Sequence, residues 1–289
     1  MSEGFEVTVG SDSITVRTEA FTLVFDKYHM GIISFKYVTD GAWHEGVETG
    51  GTPPTLFGPY FKVQDLPGDV LYPMGGTSLQ LCECLPWFVR LEFEGYLRNQ
   101  SIPNSIDYPL ELSVCVRPSG NISYRAKVRN DSMGDIVLLE EGYRLNPAND
   151  ADIHLGRDDA PELKWFGFYS ANGGGSTGDR SHDAIAMPFE AGLDEYAVQG
   201  NTNRMYRADF GWAAGAEMVR HFLLVLSGNG SWGDCSDAEE LRARGDALSS
   251  DYTLPDPLDG STNAGCVLVG TRVGDGFDEE GGNYGVTTD

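Results

Sequence analysis

The sequence predicts an all-β protein, a large antiparallel β-sandwich carrying one short helix. Three observations predict it. In the stretch from Leu110 to Leu145, apolar residues take alternate positions (Leu110, Leu112, Val114, Val116, then Ile122, Tyr124, Ala126, Val128), with Pro118, Ser119 and Gly120 as a turn between the runs. That is a β-meander with one buried face. A third apolar run, Ile136 to Leu139, follows at once, so three consecutive strands are expected side by side. Glycine, at 37 residues, and aromatics, at 11%, suit many strands joined by tight turns. Only one segment carries a helix-opening signature, described below.

Taken in order, residues 5 to 17 read as a strand pair, with Phe5, Val7 and Val9 before the turn at Gly10 to Asp12, and Ile14 and Val16 after it. Phe21 to Phe25 is a further strand, Asp26 to Gly31 turns the chain and Ile32 to Val38 returns it. Gly50 to Pro54 and Pro67 to Asp69 interrupt strands as loops. Leu79 to Cys84 and Trp87 to Tyr96 form the next pair. In the second of these, Val89, Leu91 and Phe93 face inward while Phe88, Arg90, Glu92 and Glu94 face outward. Asn146 to Pro161 reads as a long acidic surface loop and Gly173 to Gly178 as a second; long loops at the rim of a sandwich are where ligands are met. The pattern weakens after Gly200 until Met218 to Leu226, an apolar run long enough for a central strand. Ser236 and Glu239 form a capping box that opens a helix over 237–248. Cys266 to Gly270 is a short strand.

The phrase FTLVFDKYHMGIISFKYVTDGAW resembles the opening hairpin of galactose-mutarotase-like sandwiches, among them polysaccharide-lyase and glycosidase sandwich domains. The meander from Val116 to Ser123 resembles their later strand pair joined at a Pro-x-Gly turn. The resemblance covers the first half of the chain and rests on pattern more than on any invariant motif. It implies a mutarotase-like sandwich and a function connected with carbohydrate.

One domain spanning 1–289 is expected, because all-β sandwiches of about 200 to 250 residues are often single units, with an acidic glycine-rich tail from about residue 271. No apolar run reaches the length of a membrane-spanning helix. The first residues lack a basic region followed by an apolar one, so no ordinary secretory signal is expected, and synthesis in the cytoplasm with incorporation into a virion fits. Forty-four acidic residues against 20 basic ones give a net charge of -24, and only five of the basic residues are lysine. The acids are spread along the whole chain, which marks a solvated acidic surface of the kind found in high-salt cytoplasm. A nucleic-acid partner is not expected, since phosphate binding needs a basic stripe, and neither is a membrane. Glycans or other protein subunits are the expected partners, the latter in a homo-oligomer or a larger assembly. The five cysteines, Cys82, Cys84, Cys115, Cys235 and Cys266, lack zinc-ligand spacing and read as small hydrophobes in a reducing compartment.

The candidate site residues come from the loops and the polar segments. His182 shares a short stretch with Asp179, Arg180 and Asp183 beside the triple-glycine loop, so a titratable ring, an arginine and carboxylates fall together. His221, inside the apolar run, reads as a hydrogen-bonded structural residue. Arg204 and Arg207 flank Tyr206 and could hold a carboxylate bidentately, or pair with the protein's own acids. Trp165 and Tyr169, next to the glycine-rich loop, are the aromatics expected to stack on a sugar, with Asp179 and Arg180 as polar contacts. No cofactor is expected. Calcium is the one ion left open, by the segment from Gly274 to Glu280, but Thr271, Arg272 and Val273 stand where an EF-hand loop needs oxygens.

Two functions fit these residues. The first is a non-catalytic, carbohydrate-recognising or structural component of a larger halophilic assembly, such as a virion tail, spike or fibre. The second, implied by the resemblance, is a polysaccharide lyase or sugar epimerase, with His182 as acid or base and Arg204 or Arg207 holding a carboxylate. Catalytic mutarotases place two histidines and a carboxylate at the anomeric centre, and nothing in this sequence assigns those roles.

Overall fold

The computed structural model describes residues 5–39, 42–48, 55–64, 70–99, 107–146, 153–157, 164–170, 182–189, 193–199, 202–228 and 238–251. Five strands, β1 (Glu6–Val9), β2 (Ser13–Arg17), β3 (Phe21–Asp26), β4 (Gly31–Thr39) and β5 (Ala42–Glu48), form one sheet in chain order. Twelve more form the large sheet: β6 (Phe57–Val63), β7 (Val70–Leu85), β8 (Phe88–Arg98), β9 (Tyr108–Val116), β10 (Asn121–Arg129), β11 (Ile136–Leu145), β12 (Ile153–Arg157), β13 (Trp165–Ser170), β14 (His182–Pro188), β15 (Glu195–Gln199), β16 (Thr202–Trp212) and β17 (Glu217–Gly228). Their order is β12-β13-β14-β17-β10-β9-β8-β7-β6-β11-β16-β15. Every described pairing is antiparallel. The protein is therefore an all-β antiparallel sandwich, as its alternating pattern predicts.

Both sheets contribute to one core. Val16, Leu23, Phe25 and Ile32 of the small sheet are buried in the same cluster as Phe57, Leu112, Val114 and Phe222 of the large one. Phe222 sits among aromatics, with ring centroids 4.8 Å from Phe57, 4.7 Å from Tyr124 and 4.6 Å from Tyr143. Three such pairs add about 1 kcal/mol each beyond area burial. The ends of the large sheet approach each other: a Cβ on Gly156 of β12 would meet the Tyr196 ring of β15 at 2.5 Å, and Asn203 of β16 donates to the Gly167 carbonyl of β13 at 2.6 Å. Curling of this kind leaves fewer unpaired edges.

Three sequence expectations are corrected. The run after the meander does not lie beside β10. The free edge of β10 is taken by β17 over nine paired positions, while β11 crosses to the far half of the sheet and pairs with β6 and β16. β17 wins because its run from Phe222 to Leu226 is buried throughout. The segment read as a loop from Asn146 to Pro161 contains β12, and the featureless stretch after Gly200 contains the eleven-residue β16. β8 keeps its predicted alternation, with Val89, Leu91 and Phe93 in the core and Phe88 on the outward side, where it is covered by packing on Cys115.

The helix expected over 237–248 is α1 (Ala238–Asp251), with Glu239 and Glu240 in its first turn, where the helix dipole favours acids. Leu241 and Leu248 pack onto Trp165, Tyr169 and Ile185 on the outer face of the large sheet. Contact is closest at Gly245, where a Cβ would come within 2.2 Å of the Trp165 indole. Ser236, the short strand at 266–270 and the tail from 271 lie outside the described residues.

Candidate functional site: a polar face on the large sheet

A bulge in β11 creates the site. The register to β6 shifts between Leu138 and Glu140, and such an insertion inverts which face later side chains occupy. Leu138 is in the core; after the bulge, Tyr143 and Leu145 point into the core instead. Glu140, Gly142 and Arg144 consequently share the outer face. Their cross-strand partners are Lys62, Tyr60 and Gly58 on β6, and Ala208, Tyr206 and Arg204 on β16. Gly142 is required here, because a Cβ would run into the Tyr206 backbone at 2.6 Å.

Glu140 organises this face. Its carboxylate accepts hydrogen bonds from the Tyr60 hydroxyl at 2.9 Å, Lys62 Nζ at 3.1 Å and Arg204 Nη1 at 2.9 Å. Arg204 also lies 5.9 Å from the ring centroids of both Tyr60 and Tyr206. Four residues along from Glu140, Arg144 is fully buried and donates from Nη1 to the Thr55 carbonyl at 3.0 Å and from Nη2 to Thr55 Oγ1 at 2.7 Å. Its guanidinium stands 4.7 Å from the Tyr72 ring centroid. Tyr72 and Tyr206 are half-buried and give the face its aromatic surface.

Burial pushes the Tyr60 hydroxyl far above the usual phenol range, with the Glu140 charge acting in the same direction. Tyr72 and Tyr206 are also raised, again chiefly by burial. None of the three is poised to act as a base near neutral pH, since a base needs its acidity tuned toward the working pH.

The inner face holds a separate ionic cluster. Glu141, with 2% of its side chain exposed, accepts from Arg207 Nε at 2.6 Å and from Arg220 Nε at 2.9 Å. It ties β11 and β16 to β17 across the core side of the sheet.

The structure separates the residues singled out in the sequence. Arg204 and Arg207 are three apart on β16 and project to opposite faces, so they cannot grip one carboxylate together. Arg204 belongs to the polar face, while Arg207 is paired with Glu141. Trp165 is 0% exposed and donates from Nε1 to Asp246 Oδ1 at 2.9 Å, and Tyr169 is 6% exposed. Both rings are covered by α1 and are unavailable for stacking on a ligand from solvent. His182 opens β14, its backbone opposite Ser170 and Gly228. Asp179 and Arg180 lie outside the described residues. Tyr60, Lys62, Glu140 and Arg144 were not singled out by the sequence pattern. A signal for two of them was present: in the run from Leu138 to Leu145, charges flank a glycine inside an otherwise strand-like stretch.

No family model and no curated protein matches the sequence. Among solved structures, the chain is similar to a polysaccharide lyase, with a TM-score of 0.45 and 9% identity over 77% of this chain and 33% of that one. It is also similar to a galactose 1-epimerase from Lactobacillus acidophilus, with a TM-score of 0.41 and 9% identity over 78% and 98% of the two chains. A mutant heparan sulfate lyase from Pedobacter heparinus gives a TM-score of 0.41 and 10% identity over 81% and 37%. The chain thus spans about a third of the lyases it resembles. At these scores the likeness carries no activity, substrate or site residue over to this chain.

Proposed function

We propose that the protein is a non-catalytic, carbohydrate-recognising β-sandwich that works at high salt within a larger assembly, a virion tail, spike or fibre being the kind of structure meant, and that the polar face around Glu140 is its ligand surface. The observation that carries this reading is the composition of that face. Tyr72 and Tyr206 offer partly exposed rings against which the apolar side of a sugar can lie, and Arg204, Lys62 and Glu140 supply charged hydrogen-bonding groups beside them. The absence of turnover is supported by how fully Glu140 is engaged: three donors hold it, and the tyrosines around it are shifted away from neutrality. Assembly at high salt is supported by the net charge of -24.

A glycan array followed by product analysis of each bound glycan tests both halves of the proposal. Saturable binding with the glycan recovered intact is the expected result. An unsaturated product, an epimerised sugar or a blank array would each reject it, the first two in favour of a lyase or epimerase.

A further inference from the structure

The outer face of the large sheet has a local surplus of positive charge. Lys62 and Arg204 pair with Glu140, which Tyr60 also binds; Arg144 shares the face without reaching that carboxylate, and the other acid near it, Glu195, stands opposite Tyr206 on β15. Arg144 lies directly opposite Arg204 in the β11–β16 register, so two guanidinium groups leave the same face of neighbouring strands, a position where like charges repel. Arg144 is 1% exposed. Its two Nη atoms are used on Thr55, and no carboxylate pairs with it among the described residues. The Nε atoms of Arg144 and Arg204 are both buried without an acceptor.

A buried guanidinium with no counter-charge is strongly unfavourable. Composition does not explain it, because in a chain of net charge -24 acids are in surplus. We propose that Arg144 and Arg204 form a binding site for an oxyanion of the carboxylate, sulfate or phosphate class, seated beside Tyr72 with the two free Nε–H groups among its donors. The planar fork of arginine suits such anions. The Tyr72 ring centroid stands 4.7 Å from the Arg144 guanidinium, the charges of Arg144, Arg204 and Glu140 all reach its hydroxyl, and its partly exposed side marks the entry. Burial draws Arg144 down to about 9, a shift that a bound anion would reverse. The site shares Tyr72 and Arg204 with the face proposed above for glycan but does not depend on glycan binding: the oxyanion is either a free ion or the acidic substituent of a larger ligand.

Calorimetric titration of the full chain with sodium sulfate, phosphate and acetate at fixed ionic strength tests the site. Saturable binding to the unaltered protein is expected, weakened about tenfold or more in Arg204→Gln, the effect of losing a charge-assisted hydrogen bond. Arg144→Met should abolish binding without lowering Tm, since it replaces an unpaired buried charge with an apolar chain; if that variant does not fold, Arg204→Gln decides alone. Glucuronate and glucose, titrated alongside, separate the sources. Glucuronate tighter than acetate with glucose silent makes the anion a sugar substituent, and equal affinity for glucuronate and acetate makes it a free ion; either supports the site. Absence of saturable binding by all of these anions, or equal binding by the unaltered protein and Arg204→Gln, would overturn it.

Discussion

Glu141 shows how much rests on single charged residues in this sheet. Only 2% of its side chain is exposed, and it neutralises two arginines from different strands. Glu141→Gln keeps the shape and removes the charge that Arg207 and Arg220 share, and is expected to cost about 3 kcal/mol in urea unfolding; an unchanged midpoint would show that the cluster does not hold the sheet together. His221 gives a pH dependence. Its imidazole is lowered from 6.5 by burial first and by Arg125 and Arg220 second. The unfolded chain therefore takes up a proton at a higher pH than the folded one, so this contribution is complete above 6.5 and is lost as pH falls through the lowered folded value. His221→Gln should flatten the decline in unfolding midpoint on that acid side; an identical decline in both proteins would assign it to other groups. At this scale the sequence was partly legible. Arg204 and Arg207 were recognisable as candidate anion ligands, and their spacing of three already puts them on opposite faces of any strand. That conclusion needed β16, which the polar pattern around Asp209 concealed.

Among the elements, α1 was legible from its cap and β8, β9 and β10 from their alternation, because each has one apolar face and one polar one. β11 was not, and its bulge is the reason: Leu138 and Tyr143 both face the core although their numbers differ in parity. A strand whose period breaks in the middle reads as two short fragments, and the run was accordingly seen to end at Leu139. The packing of α1 makes its own prediction. Gly→Ala within a helix usually stabilises by up to about 1 kcal/mol, but at Gly245 the new methyl would lie 2.2 Å from the Trp165 ring. Overpacking of this kind costs about 1 to 3 kcal/mol, so Gly245→Ala should lower Tm and shift tryptophan fluorescence to the red. A higher Tm would show that α1 does not rest on Trp165.

For the whole molecule, the all-β class followed from composition and alternation, whereas the curl of the large sheet, which depends on pairings far apart in sequence such as β11 with β6, left no local trace. Charge is the other global property. With 44 acidic residues against 20 basic ones, repulsion acts over a Debye length of about 30 Å at 0.01 M salt and about 3 Å at 1 M. Tm is therefore expected to rise steeply between about 0.05 M and about 2 M KCl, and a flat profile would make the acidity incidental to where the protein works. The claim that the polar face recognises sugar without turning it over is tested most directly by titrating an array-selected glycan into the unaltered protein, Tyr72→Ala, Tyr206→Ala and Lys36→Ala, the last placed on the small sheet as a control. The account predicts saturable binding that either tyrosine variant weakens by about tenfold, as expected for losing a ring contact of about 1.4 kcal/mol, with Lys36→Ala unchanged and the glycan recovered intact. Binding indifferent to both tyrosines, or a glycan returned cleaved or epimerised, would contradict it.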